Sequence, residues 1–317
     1  MAVPAALSAT AERPQRHTQT TSKWEGLALG ATTAISWTDA TFNPWWGCER
    51  VSAGCQKCYA EAFAKRTGNI VWGKNADRRH FGDKHWAEPV RWNTKAESAG
   101  IPQRVFCASM ADVFEDRRDL DADRTRLFAL IEVTPWLHWQ LLTKRPENVV
   151  SLIPAHWLGE WPLNCWMGTT VEDDQRAVER VPILRTIPAP IRFLSAEPLL
   201  GPLPSLDLTG IDWLIVGGES GPNARPMQEQ WARDLADLCA HDVPCSCMEV
   251  GYYESHEADG STTSCERCSN SGSVPVAFYL KQAGSVLGRV WGCADRAGSD
   301  IDGFPPGLRI RQYPLQP

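Results

Sequence analysis

Trp139-Gln-Leu-Leu-Thr143 runs directly into Lys144-Arg145-Pro146. Five mostly apolar residues without helical spacing read as a short buried strand. The proline three residues later suits the first turn of a following helix. Strand, two cations and helix start thus follow one another within eight residues. The same grammar recurs on both sides. Arg104-Val-Phe-Cys-Ala-Ser109 is a strand upstream, and Cys165-Trp-Met-Gly-Thr-Thr170 is one downstream. Ile191-Arg-Phe-Leu-Ser195, Asp212-Trp-Leu-Ile-Val216 and Val276-Ala-Phe-Tyr-Leu280 continue the series, and Ile35-Ser-Trp-Thr-Asp39 opens it. Helical stretches at 112–132, 171–180 and 230–240, or long crossovers, separate the strands. Alternation of this kind predicts an α/β fold, a partial or complete TIM-like parallel barrel, with a doubly wound sheet as the alternative.

Composition fits one enzyme-sized unit. The chain has 317 residues, 43% apolar and 22% charged, with a net charge of −6. That balance does not favour non-specific nucleic-acid binding, although a local basic groove is compatible with it. No apolar run is long enough to span a membrane, so no membrane association is expected. Residues 1–33, rich in Ala, Thr, Pro and Gln, read as a disordered extension without a secretory pattern. Eleven cysteines, odd in number and clustered, argue against a secreted disulfide framework and for a reducing, cytoplasmic setting. Fifteen tryptophans, among them Trp37, Trp45, Trp139, Trp166 and Trp213, are expected mainly in the core.

Polar residues gather where strands end. Asp39, Lys144, Arg145, Thr169, Glu197, Glu219, Lys281 and Gln282 all fall at such positions. In a parallel barrel these ends converge on one mouth. Solvated charges and local salt bridges are the ordinary alternative for each.

Cys48, Cys55 and Cys58 lie close together in Cys48-Glu-Arg-Val-Ser-Ala-Gly-Cys55-Gln-Lys-Cys58. Three close cysteines suit an iron-sulfur cluster with one open iron. A zinc site completed through the fold by Cys107 or Cys165, or unligated packing cysteines, are the other readings.

The segment Ile35-Ser-Trp-Thr-Asp-Ala-Thr-Phe-Asn-Pro44, with Gly47-Cys48 and Gly54-Cys55-Gln-Lys-Cys58-Tyr-Ala-Glu61, resembles the phage Gp37/Gp68-like three-cysteine-motif family (DUF5131). Leu142-Thr-Lys-Arg-Pro146, Gly168-Thr-Thr-Val-Glu172, Phe193-Leu-Ser-Ala-Glu-Pro-Leu199, Val216-Gly-Gly-Glu-Ser-Gly221 and Phe278-Tyr-Leu-Lys-Gln282 extend the resemblance over roughly residues 34–284. That family looks like a divergent relative of radical S-adenosylmethionine enzymes. The resemblance implies a [4Fe–4S] cluster on Cys48, Cys55 and Cys58, S-adenosylmethionine on its open iron, and a radical formed on a substrate of unknown identity. The gap between Cys48 and Cys55 is longer than in the common radical-enzyme motif. The cofactor-binding expectation covers Thr169, Ser195, Glu197, Gly217, Gly218 and Glu219. The catalytic expectation covers Lys144, Arg145 and Lys281, the first two as partners of a carboxylate or phosphate. The competing reading is a metal-stapled protein acting on nucleic acid or beside a modification enzyme.

A second cysteine group, Cys245-Ser-Cys247 and Cys265-Glu-Arg-Cys268, suits a structural zinc ion in an insertion over 245–275. Residues 285–317 are expected to wrap the barrel, with Arg309-Ile310-Arg311 as a short edge strand.

Overall fold

In the computed structural model, which describes residues 33–244 and 273–314, seven parallel strands form one sheet. They are β1 (Ala40–Thr41), β2 (Gln103–Cys107), β3 (Leu137–Thr143), β4 (Cys165–Thr170), β5 (Arg192–Ala196), β6 (Trp213–Gly217) and β7 (Ala277–Gln282). Spatial order follows chain order from β1 to β7. A doubly wound sheet would reverse direction at a switch point, and this one does not. Ala40 pairs with Val105, Val105 with Trp139, Trp139 with Cys165, and Phe193 with Trp213. β1 and β7 do not pair with each other among the described residues, so the curled sheet stays open, as a partial TIM-like barrel.

Alternation along the strands divides two cores. Val105, Cys107, Trp139, Leu141, Leu194, Leu214 and Leu280 face the layer of helices. That layer includes α2 (Glu88–Ala99), α3 (Asp121–Glu132), α4 (Asp174–Arg185), α5 (Glu229–Cys239) and α6 (Gly284–Trp291), whereas α1 (Tyr59–Arg66) packs Ala60 and Ala64 on Val71 and Met110 in a separate cluster. The opposite face fills the barrel with Trp37, Phe106, Trp166, Phe193, Trp213 and Tyr279. Trp213 is the hub, with ring centroids 5.9 Å from Trp37, 6.2 Å from Trp166, 5.8 Å from Phe193 and 6.0 Å from Tyr279. Edge-to-face packing of this kind suits aromatic quadrupoles. Gly168 makes room for it, since a Cβ there would meet the Phe193 ring at 2.5 Å.

Two sequence expectations shift. The first strand is Ala40–Thr41, not residues 35–39. Asp39 binds the backbone N–H of Arg104 at 2.8 Å and its guanidinium at 3.0 Å. The chain before it turns, and Trp37 folds beneath the sheet against Phe106 at 4.6 Å. The helix expected over 112–132 starts at Asp121. Asp112 instead accepts from Phe114 N–H at 3.0 Å and holds 112–117 as a loop. Gln312 N–H donates to Phe278 O at 2.9 Å, and Leu280 N–H to Ile310 O at 2.9 Å. Residues 310–312 therefore run along the free edge of β7.

Candidate functional site at the barrel mouth

The C-terminal ends of β2 to β7 open onto one cavity of about 620 Å³. Its floor includes Trp37, Phe106 and Leu142, and the loop carrying Cys48, Cys55 and Cys58 forms part of its wall.

Asp112 organises the β3 side. Its Oδ1 accepts from Thr143 Oγ1 at 2.7 Å, and its Oδ2 from Arg145 Nη1 at 2.8 Å and Lys144 N–H at 3.2 Å. Arg145 and Asp112 are both nearly inaccessible, so the pair needs these extra hydrogen bonds to offset desolvation. Arg145 also donates to Glu49 O at 2.8 Å and approaches Cys48 Sγ at 3.6 Å. It clamps the start of the cysteine loop.

Glu172, just past β4, clamps the middle. It is fully buried, accepts from Arg180 at 2.8 Å and receives Gly54 N–H at 3.3 Å. Burial pushes its carboxyl up, but the cations of Arg180 and Lys144 outweigh this and hold it below the usual range. Arg225 provides a third clamp. It pairs with Glu219 and donates to Ala53 O at 3.1 Å. Burial of Glu219 is likewise outweighed by Arg225, which holds this carboxyl low.

The remaining expected residues occupy distinct places. Glu197 and Lys281 form an ion pair across the β5 and β7 ends, both half-buried and both on the wall. Ser195 lines the cavity, whereas Thr169 is buried and donates to Thr143 O at 3.0 Å. Its neighbour Thr170 lines the cavity instead. The space beside Gly218 is filled by the chain itself, because a Cβ there would lie 2.3 Å from Ala283 O. Gly217 leaves room for Glu197, whose carboxyl carbon would be 3.1 Å from an added Cβ.

Among the described residues, two wall cations have no carboxylate at ion-pairing distance. Arg296 is exposed at the rim. Lys144 is half-buried, and its Nζ donates to Thr170 Oγ1 at 3.2 Å. Arg50, Lys57, Arg145 and Lys281 are matched by Glu61, Glu219, Asp112 and Glu197.

The cofactor expectation is corrected. Among the described residues, no group of three or more His, Cys, Asp or Glu is placed to hold a metal ion. The [4Fe–4S] cluster on Cys48, Cys55 and Cys58, and S-adenosylmethionine on its open iron, lose their basis there. Each sulfur has its own local setting. Cys48 Sγ donates to Glu49 O at 3.3 Å, and burial beside Asp112 pushes its thiol up to about 12. Cys55 Sγ lies 3.9 Å from Ser52 Oγ. Burial raises Cys58 despite the N–H groups of Ala60 and Glu61 at the start of α1. Cys107 and Cys165 are core residues. The zinc expectation at Cys245, Cys247, Cys265 and Cys268 lies outside the described residues.

Sequence reasoning did not single out Asp112, Arg180 or Arg225 as clamps. Asp112 lies three residues beyond the strand-end positions surveyed, and Arg225 sits in a loop without periodic signal. Glu172 was visible within Gly168-Thr-Thr-Val-Glu172, but its role needed the fold.

No curated protein matches the chain. Two solved structures of spore photoproduct lyase, both cysteine-to-alanine mutants, resemble it at 13% identity and a TM-score of 0.36. The one with a dinucleoside spore photoproduct is matched over 62% of this chain and 48% of that one; the other over 70% and 60%. The chain thus spans about half to three-fifths of their lengths, and a likeness this weak transfers no residue role. Residues 32–303 match the family described as a protein of unknown function, DUF5131, and the chain belongs to that family.

Proposed function

We propose that the barrel mouth is a catalytic cleft for a small molecule carrying a carboxylate or phosphate. The observation behind this reading is Lys144. The other cations placed deep in the wall make direct ion pairs with neighbouring carboxylates, whereas among the described residues this ammonium hydrogen-bonds only a hydroxyl, and the nearby Glu172 carboxylate is already paired with Arg180. A half-buried cation gains from a ligand anion that replaces lost hydration. Trp37, Phe106 and Leu142 suit an apolar portion of the same ligand. The Glu197–Lys281 pair supplies a carboxylate and an ammonium on the same wall, the kind of convergent acid–base groups a catalytic cleft uses.

A panel of small carboxylates and phosphates, screened by thermal melting, tests the reading. At least one should raise the melting temperature of the native chain. Lys144→Ala should weaken its binding about tenfold or more, with partial recovery in Lys144→Arg. Equal binding to the native chain and Lys144→Ala would refute the assignment.

A further inference from the structure

Beside the mouth, aromatic rings and guanidinium groups alternate along one surface. Arg66 lies over Phe63 at 5.9 Å. The Phe63 ring meets Trp46 at 5.9 Å between centroids. Arg79 covers Trp46 at 4.7 Å and Phe81 at 5.2 Å. The ladder joins α1 to the two-stranded antiparallel pair in which Trp46 faces Arg79. Phe63 is 40% exposed, Arg66 and Arg79 are exposed, and Trp46 and Phe81 are half-buried. Tyr59, at the head of α1, is 55% exposed and lines the mouth.

The charge here opposes that of the whole molecule. Residues 49–80 contain seven Lys and Arg against three Asp and Glu, in a chain of net charge −6. Of the three acids, Glu61 is buried and held by both Arg50 and Lys65. Of the seven bases, only Arg78 is buried, paired with Glu115. Arg50 and Lys65 are committed to Glu61 and Lys57 approaches Glu219, which leaves Arg66, Lys74 and Arg79 as exposed cations without a carboxylate partner among the described residues, beside exposed Asp77 and half-buried Glu49.

We infer that this ladder is a docking surface for single-stranded nucleic acid. Exposed cations meet the phosphates, and the exposed ring of Phe63, with the Arg79 guanidinium lying over Trp46, offers stacking surfaces to unpaired bases. An acidic peptide would satisfy the charges but would leave the aromatic faces without flat partners. A duplex keeps its bases inside the stack. The inference rests on a surface outside the cavity and does not depend on which small molecule the mouth takes.

Fluorescence anisotropy with the full chain and a labelled single-stranded DNA of about 12 nucleotides tests it, a length within the footprint of such surfaces. Binding should fall steeply with salt, by a log–log slope of about −0.7 per phosphate contacted. Phe63→Ala should weaken it about tenfold, and the double change Arg66→Glu with Arg79→Glu should abolish it. Arg66→Ala, at an exposed helix position, provides the same test if charge reversal disturbs folding, with weakening expected. Binding unchanged in these variants, no binding at low salt, equal affinity for duplex, or full displacement by polyglutamate would each overturn the inference.

Discussion

Asp112 shows how single residues turn an open sheet into a formed cleft. Its carboxylate ties Thr143, Lys144 and Arg145 to one point, and Arg145 then fixes Cys48 and Glu49. Removing one partner of a buried pair leaves the other uncompensated. Asp112→Ala is therefore expected to cost about 3–5 kcal/mol, measured by urea denaturation. Glu172 yields a pH-dependent expectation. Its carboxyl is held below the ordinary value in the fold, so its contribution is complete above the unfolded value of about 4.3 and is lost as pH falls through the lower folded value. Glu172→Gln should lower stability at neutral pH. It should also flatten the decline in melting temperature between about pH 5 and pH 3. An unchanged acid limb would show that another carboxylate sets it.

At the scale of elements, the strands were the most legible feature of the sequence. Cys165–Thr170 was readable to the residue, and the other central strands to within one or two, because buried parallel strands are nearly continuous apolar runs. The opening strand was not, because Trp37 serves the barrel interior rather than the sheet. Its apolar character looks the same in either place. The 112–132 helix began late because Asp112 is committed to strand-end partners, an effect periodicity does not register. Packing inside the barrel is equally specific. A methyl group at position 168 would collide with the Phe193 ring. Gly168→Ala should destabilise the chain by about 1–3 kcal/mol in urea melts. A substitution without effect would mean that Phe193 has somewhere else to go.

Across the whole molecule, the charged strand ends have two tasks that sequence alone did not separate. Arg145, Glu172 and, through Arg225, Glu219 clamp the cysteine loop over the mouth. Lys144 lines the cavity without a direct ion pair among the described residues. Their convergence followed from strand order, but their pairing depends on contacts between residues roughly 100 to 170 positions apart. The thiol trio was legible as a sequence cluster, while the separate setting of each sulfur was not. The open architecture also leaves β7 needing cover, which residues 310–312 provide. Deleting residues 309–317 should expose that edge and promote concentration-dependent association, detectable by light scattering. A monodisperse truncated chain would show that the edge is protected otherwise.

The most direct test of the mouth as an anion-binding cleft is a crystal structure of the chain with the carboxylate or phosphate that most raises its melting temperature. An anionic oxygen is expected within hydrogen-bond distance of Lys144 Nζ, with the rest of the ligand against Trp37, Phe106 and Leu142. An anion bound elsewhere, with Lys144 still turned only to Thr170, would contradict it.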